Sequence, residues 1–200
     1  MTPEKATETF CPASPQHWRE WLHAHHAEKQ SVWLIYHKKK SATPSLTWSQ
    51  AVDEALCFGW IDSRAQPLDD ERYRQFFSRR KPASGWSKIN KAKIERLLAA
   101  GLLAPAGLAS IETAKQNGAW TLLDDVEELR LPADLVQPLL AQPLAASYFE
   151  RLSRTDKRNI LQWLVLAKRP ATRQKRIAEI VDLAAQQLKP APFRSRPRLR

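Results

Sequence analysis

Apolar positions follow two periods along the chain. From residue 14 to 80 the spacing alternates between three-or-four and two. Beyond Trp86 it stays helical. Ser14-Pro15 predicts a helix start, a serine cap followed by proline at the first helical position. Trp18, Trp21, Leu22 and His25 then share one face. Ser31 to His37, SVWLIYH, is short and rich in β-branched and aromatic residues, and predicts a strand. Thr47-Trp48-Ser49-Gln50 is a capping box that opens a second helix with Ala51, Val52, Ala55 and Leu56 on its apolar face. Gly59 ends that helix, because glycine readily takes the left-handed conformation of a C-terminal cap. Trp60 to Ala65 and Arg72 to Arg79 predict two further strands, joined at Asp69-Asp70-Glu71.

The later helices are expected over 87–100, 105–117, 143–152 and 156–168, with a last one capped by Thr172 and striped by Ile177, Ile180, Val181, Ala184 and Leu188. The fold class is therefore α+β. A small antiparallel sheet with helices over residues 10–85 precedes an all-helical unit over 86–188. Trp86, Trp120 and Trp163 supply apolar area for packing the two into one body.

Composition sharpens this picture. The chain has 200 residues, 43% of them hydrophobic, enough for a sizeable core. No apolar run approaches the ~20 residues of a membrane span, and MTPEKATETF lacks the apolar segment of a signal peptide. The expectation is a cytoplasmic protein with no membrane partner. Two cysteines, Cys11 and Cys57, do not make a disulfide framework. The net charge of +11 invites anionic partners. Much of it lies in KPAPFRSRPRLR, residues 189–200, which has five positive residues and no acid. Its prolines and sparse apolar content predict a disordered basic tail, suited to weak nonspecific nucleic-acid binding.

Four segments carry a family resemblance: SVWLIYHKK, LTWSQAVDEALCFGWIDS, FFSRRKPASGWSKIN and AKRPATRQKRI. In this order, over residues 10 to 188, they resemble the YdeI/OmpD-associated family, also called bacteriocin-protection proteins. Residues 130–188 resemble its helical module. The resemblance implies no established reaction, catalytic residue or cofactor; its wording implies a link to stress or antimicrobial tolerance. The chain departs from the family pattern at three places. Ala171 replaces a glutamate before Thr172-Arg173, Pro138 interrupts a helix-forming stretch after Asp134, and Arg79 replaces a proline before Arg80.

Three constellations bear on chemistry. In ALCFGWIDS, Cys57 falls at a helix C-terminus, where the dipole disfavours a thiolate; a core cysteine is the expectation. Strand alternation puts Trp60 and Asp62 on one face, opposite Ile61. With Ile61 inward, Trp60 and Asp62 form an outward ligand-facing pair; the alternative packs Trp60 under helices and pairs Asp62 with an arginine. Arg80, Ser84, Trp86 and Asn90, with Arg79, Lys81, Ser87 and Lys88 beside them, gather cations, hydroxyls and an aromatic at a helix start. That is a chemistry for phosphate or carboxylate, or else a linker with capped ends. Glu20-x-x-His23 has the spacing of a di-iron ligand pair but no second copy, so no metal and no other cofactor is expected. HExxH, GxSxG and phosphate-loop motifs are absent from the sequence. The candidate ligand-binding residues are thus Trp60, Asp62, Arg80, Ser84, Trp86 and Asn90, with catalytic residues unassigned. The leading function is binding of a small anionic ligand or protein partner. The alternatives are nonspecific nucleic-acid binding and an enzyme acting on a small anionic substrate.

Overall fold

The computed structural model describes residues 8–38, 41, 43 and 45–194, and the fold divides into two units at Trp120/Thr121. In the first unit the elements run β1 (Thr9–Phe10), α1 (Pro15–His25), β2 (Ser31–His37), α2 (Trp48–Cys57), β3 (Trp60–Pro67), β4 (Arg72–Arg79), α3 (Lys88–Ala99) and α4 (Pro105–Gln116). Periodicity changes near residue 86, but packing does not divide there. Helices α3 and α4 share the core of the sheet, through Ile94, Leu97, Ile111 and Ala114.

The sheet order is β1-β2-β4-β3. The β2–β4 and β3–β4 pairs are antiparallel, as expected, whereas β1–β2 is parallel, which makes the sheet mixed. Two residues of β1 are too few to show a period. One face of the sheet is covered. Val32, Leu34, Tyr36, Phe77 and Trp60 point into it and are fully buried, with Trp18 edge-on to Phe77 and Trp21 edge-on to Trp60. The expected caps form: the Ser14 hydroxyl accepts from the His17 amide, and Thr47 and Gln50 make the reciprocal capping box.

Gly59 has φ +73° and ends α2. Beyond it α4 approaches closely. A Cβ on Gly107 would lie 2.3 Å from the Cys57 carbonyl oxygen, and the Ala104 amide donates to that same oxygen at 3.0 Å.

The second unit contains α5 (Asp124–Glu127), α6 (Ala133–Leu140), α7 (Pro143–Arg151), α8 (Arg154–Val165) and α9 (Pro170–Ala185) around Leu135, Leu161, Leu164 and Ile180. α9 starts at Pro170, not after Thr172, since proline suits the first helical position. α6 tolerates Pro138, whose missing N–H costs one helical hydrogen bond. Arg173, without a glutamate at 171, takes its acid from α6: its Nε and Nη2 donate to the two Asp134 oxygens at 2.5 and 2.8 Å. Trp163 packs within this unit, edge-on to Phe193 at 5.9 Å.

The disordered tail expected over 189–200 needs correction at its start. Lys189 Nζ pairs with Asp156 at 2.8 Å, Pro190 is buried, and Ala191–Phe193 forms a 3₁₀ turn against Trp163. One aromatic and one lysine with specific partners outweigh the tract's composition. Residues 195–200 lie outside the described residues.

Two predictions follow from this packing. Gly107→Ala will destabilise the protein by more than ~2 kcal/mol, although alanine favours a helix, because its methyl meets backbone rather than a movable side chain. Gly101→Ala, at φ +67° with nothing within 4 Å of its Cβ, will cost only about 1 kcal/mol of backbone strain. Urea denaturation of both variants gives the ranking, and the reverse order would contradict the close approach.

The second prediction concerns acid. Arg173 holds the Asp134 carboxyl below the usual range, and Lys189 does the same for Asp156. A carboxyl depressed on folding stabilises above its unfolded value of about 4 and loses that contribution as pH falls through the lower folded value. The melting-temperature gap between the protein and Asp134→Asn should therefore be open at neutral pH and narrow progressively as pH falls below the ordinary carboxylate range. A gap that does not change with pH would remove the pair from the account.

Candidate functional site: an arginine–tryptophan cavity

The residues that turn α2 into β3 also build one wall of a cavity of about 370 Å³ in the first unit. Phe58, Gly59 and Trp60 come from this turn, Arg79 and Arg80 from the end of β4, and His26 from the end of α1. Trp86 precedes α3, and α4 closes the site with Ala106, Ala109, Ser110 and Thr113, one helical face at three- and four-residue spacing. The small residues on α4 leave the volume open. Among the described residues the lining contains Arg79, Arg80 and Lys81 and no acidic residue.

Arg80 dominates the electrostatics. Its backbone amide donates to the Gly59 carbonyl at 2.9 Å, which locks the end of β4 to the glycine turn. Its guanidinium lies 3.7 Å from the centre of the Trp86 ring and donates from Nη2 to the Gly85 carbonyl at 2.7 Å. No carboxylate among the described residues forms an ion pair with it. Burial pulls its pKa down to about 10, opposed by the negative charge of Asp62, so it stays protonated at neutral pH. A desolvated cation with part of its donor fork unused is a site for an anion.

Arg79 plays a different part. Its Nε donates to the His26 and Lys29 carbonyls at 2.8 and 2.9 Å, and Nη2 to that of Ala27, so it caps the C-terminus of α1. Its charge still borders the cavity.

Of the six candidate residues, Trp60, Arg80 and Trp86 line the cavity, and Asp62, Ser84 and Asn90 do not. Trp60 and Asp62 share a face, but it is the covered one. Trp60 is 0% exposed, so the outward pair is corrected. Alternation fixes relative phase only, and the tryptophans of α1 decide which face is covered. The Trp60 Nε1–H is buried without a hydrogen-bond partner among the described residues. Asp62 pairs with no arginine among the described residues; one of its oxygens accepts from Trp48 Nε1 and Gln75 Nε2, each at 2.9 Å. Ser84 closes a turn by donating its amide to the Lys81 carbonyl. The Asn90 amide donates to the Ser87 hydroxyl, the N-cap of α3. The α4 wall and His26 were missed from sequence. Gly107, inside a helix, was the available signal, since an interior glycine marks close backbone approach.

Cys57 is buried in the core, where desolvation raises its thiol pKa and Arg19 opposes the rise. Among the described residues no group of three or more His, Cys, Asp or Glu could hold a metal, and no helix is long and apolar enough to cross a membrane.

The fold and cavity define an α+β first unit with a cationic aromatic pocket, followed by a helical unit. Residues 10–110, half of the chain, match the model of a family described as a domain of unknown function (DUF8412), and the chain belongs to that family. Residues 128–187 match the model described as Bacteriocin-protection, YdeI or OmpD-Associated. The resemblance read over residues 10 to 188 is thus carried by the second unit, while the cavity belongs to the first family's segment. No curated protein and no solved structure matches the chain.

The burial difference predicts thiol reactivity. An aromatic disulfide reagent should modify exposed Cys11 quickly and Cys57 only on unfolding. Two equally fast thiols in the native protein would contradict the placement of Cys57.

Proposed function

We propose that the first unit is a binding protein for a small organic anion with a flat apolar body. One observation carries this reading: the half-buried guanidinium of Arg80, stacked on Trp86, faces a cavity whose described lining has three cationic residues and no acid. An anionic group would take the free donors of Arg80, and the aromatic walls Phe58, Trp60 and Trp86 would cover the rest of the ligand. A volume of about 370 Å³ suits a molecule of one or two rings. Capture of such a compound would be a physical route to stress or antimicrobial tolerance; the description of the family matched by the second unit carries the words bacteriocin-protection.

Calorimetric titration with benzoate, and separately with inorganic phosphate, tests the reading. Benzoate should bind saturably and better than phosphate, which has no apolar body. Arg80→Met keeps the stem over Trp86 and removes the charge; it should weaken benzoate at least tenfold, or about 1.4 kcal/mol. Cys57→Ala should leave binding nearly unchanged. Folding of each variant is checked by near-ultraviolet circular dichroism. No saturable binding of either probe, or equal binding by folded Arg80→Met, would overturn it.

A further inference from the structure

The second face of the sheet carries a different chemistry. On it stand Trp33 and Ile35 of β2, Arg74 and Phe76 of β4, and Arg64 and Gln66 of β3, as strand alternation and register require. Among the described residues no helix of the first unit packs over it: α1 and α2 occupy the opposite face. Trp33 and Phe76 meet edge to face at 5.0 Å and 72°. Arg74 lies 4.3 Å over the Trp33 ring, and Arg64 lies 5.2 Å from Trp33 and 5.4 Å from Phe76.

We propose that this face is a platform for single-stranded nucleic acid, independent of the cavity. Charge complementarity carries the choice. The face positions on β2, β3 and β4 include no acid. Arg64 is exposed and has no hydrogen bond or ion pair among the described residues. Arg74 is held in place through Nε and Nη2 by the Gln66 side-chain oxygen at 3.1 and 2.8 Å, which spends an acceptor without adding negative charge.

The aromatic rings do not offer an apolar patch to a protein. Trp33 is only 6% exposed because the arginines lie across it. What the face presents is planar guanidinium on planar indole. A guanidinium stacked on one ring can stack a nucleobase on its other side, while its outer N–H groups reach phosphate. Unpaired bases can enter such a stack, whereas duplex bases are closed to it. The bulge between Asp62 and Ala65 lies beside Arg64, where it re-aims the strand. This platform differs from the last residues, 194–200, whose sequence RSRPRLR offers charge without aromatic rings.

Fluorescence anisotropy with a labelled oligo-dT of about 12 nucleotides tests the proposal on the full chain. The wild-type protein should bind it with quenching of tryptophan emission, and bind a duplex of the same length more weakly. Arg64→Gln with Arg74→Gln should weaken oligo-dT at least tenfold and reduce the log–log salt slope by roughly 1.4, about 0.7 for each lost phosphate contact. Arg196→Gln with Arg198→Gln, in the C-terminal tract, should cost less. Arg64→Lys should preserve the salt slope and lose part of the quenching, because it keeps charge without the plane. Equal affinity of the Arg64/Arg74 variant, equal affinity for duplex, loss confined to the C-terminal variant, or competition by polyglutamate as strong as by unlabelled oligo-dT would each overturn the proposal.

Discussion

The close approach of α4 to the end of α2 is the constraint on which the first unit depends. It requires a bare backbone at Gly107 against the Cys57 carbonyl, and a left-handed residue at Gly59 whose Cβ would stand 3.1 Å from the Ala106 oxygen. Given these two contacts, the Ala104 amide reaches Cys57 and the Arg80 amide reaches Gly59. α2, β3, β4 and α4 are thereby pinned within a few residues of one another. The cavity is what remains between them, because the α4 face turned toward it carries only alanine, serine and threonine.

Arg80 converts that space into a site. Withdrawing a guanidinium even partly from water, as at half-buried Arg80, is costly unless it is paired or otherwise solvated by the protein. Here the partners are the ring of Trp86 and one carbonyl, and the nearby charge of Asp62 acts at longer range. A flat delocalised cation suits this setting better than an ammonium, being less strongly hydrated. The same local logic recurs at Arg74 on Trp33 and Arg176 on Trp163; Arg80 adds to it a place in a cavity whose described lining carries no acid.

Much of this fold was legible because local signals agreed. Ser14-Pro15, the Thr47–Gln50 box and Gly59 each mark a boundary through backbone chemistry that acts within four residues. The parallel strand β1 was not legible, because two residues cannot show a period. The domain division was misplaced because α3 and α4 are helical in pattern yet bury Ile94, Leu97 and Ile111 against the sheet unit, a long-range choice. For the site, the sequence brought Trp60, Arg80 and Trp86 to notice as charges and rings around a turn. It could not show that Asp62 bonds Trp48 and Gln75, or that α4 supplies a wall, since both depend on contacts between residues far apart in the chain.

The central claim is that Arg80 is a protonated, stacked and carboxylate-free guanidinium open to an anion. Nuclear magnetic resonance of arginine side chains reads this directly. The Arg80 Nε–H signal should be shifted upfield by the Trp86 ring, exchange slowly with water at neutral pH, and move on addition of benzoate more than any other arginine signal. An Arg80 signal at the position and exchange rate of a solvent-exposed arginine, and unmoved by benzoate, would contradict the account.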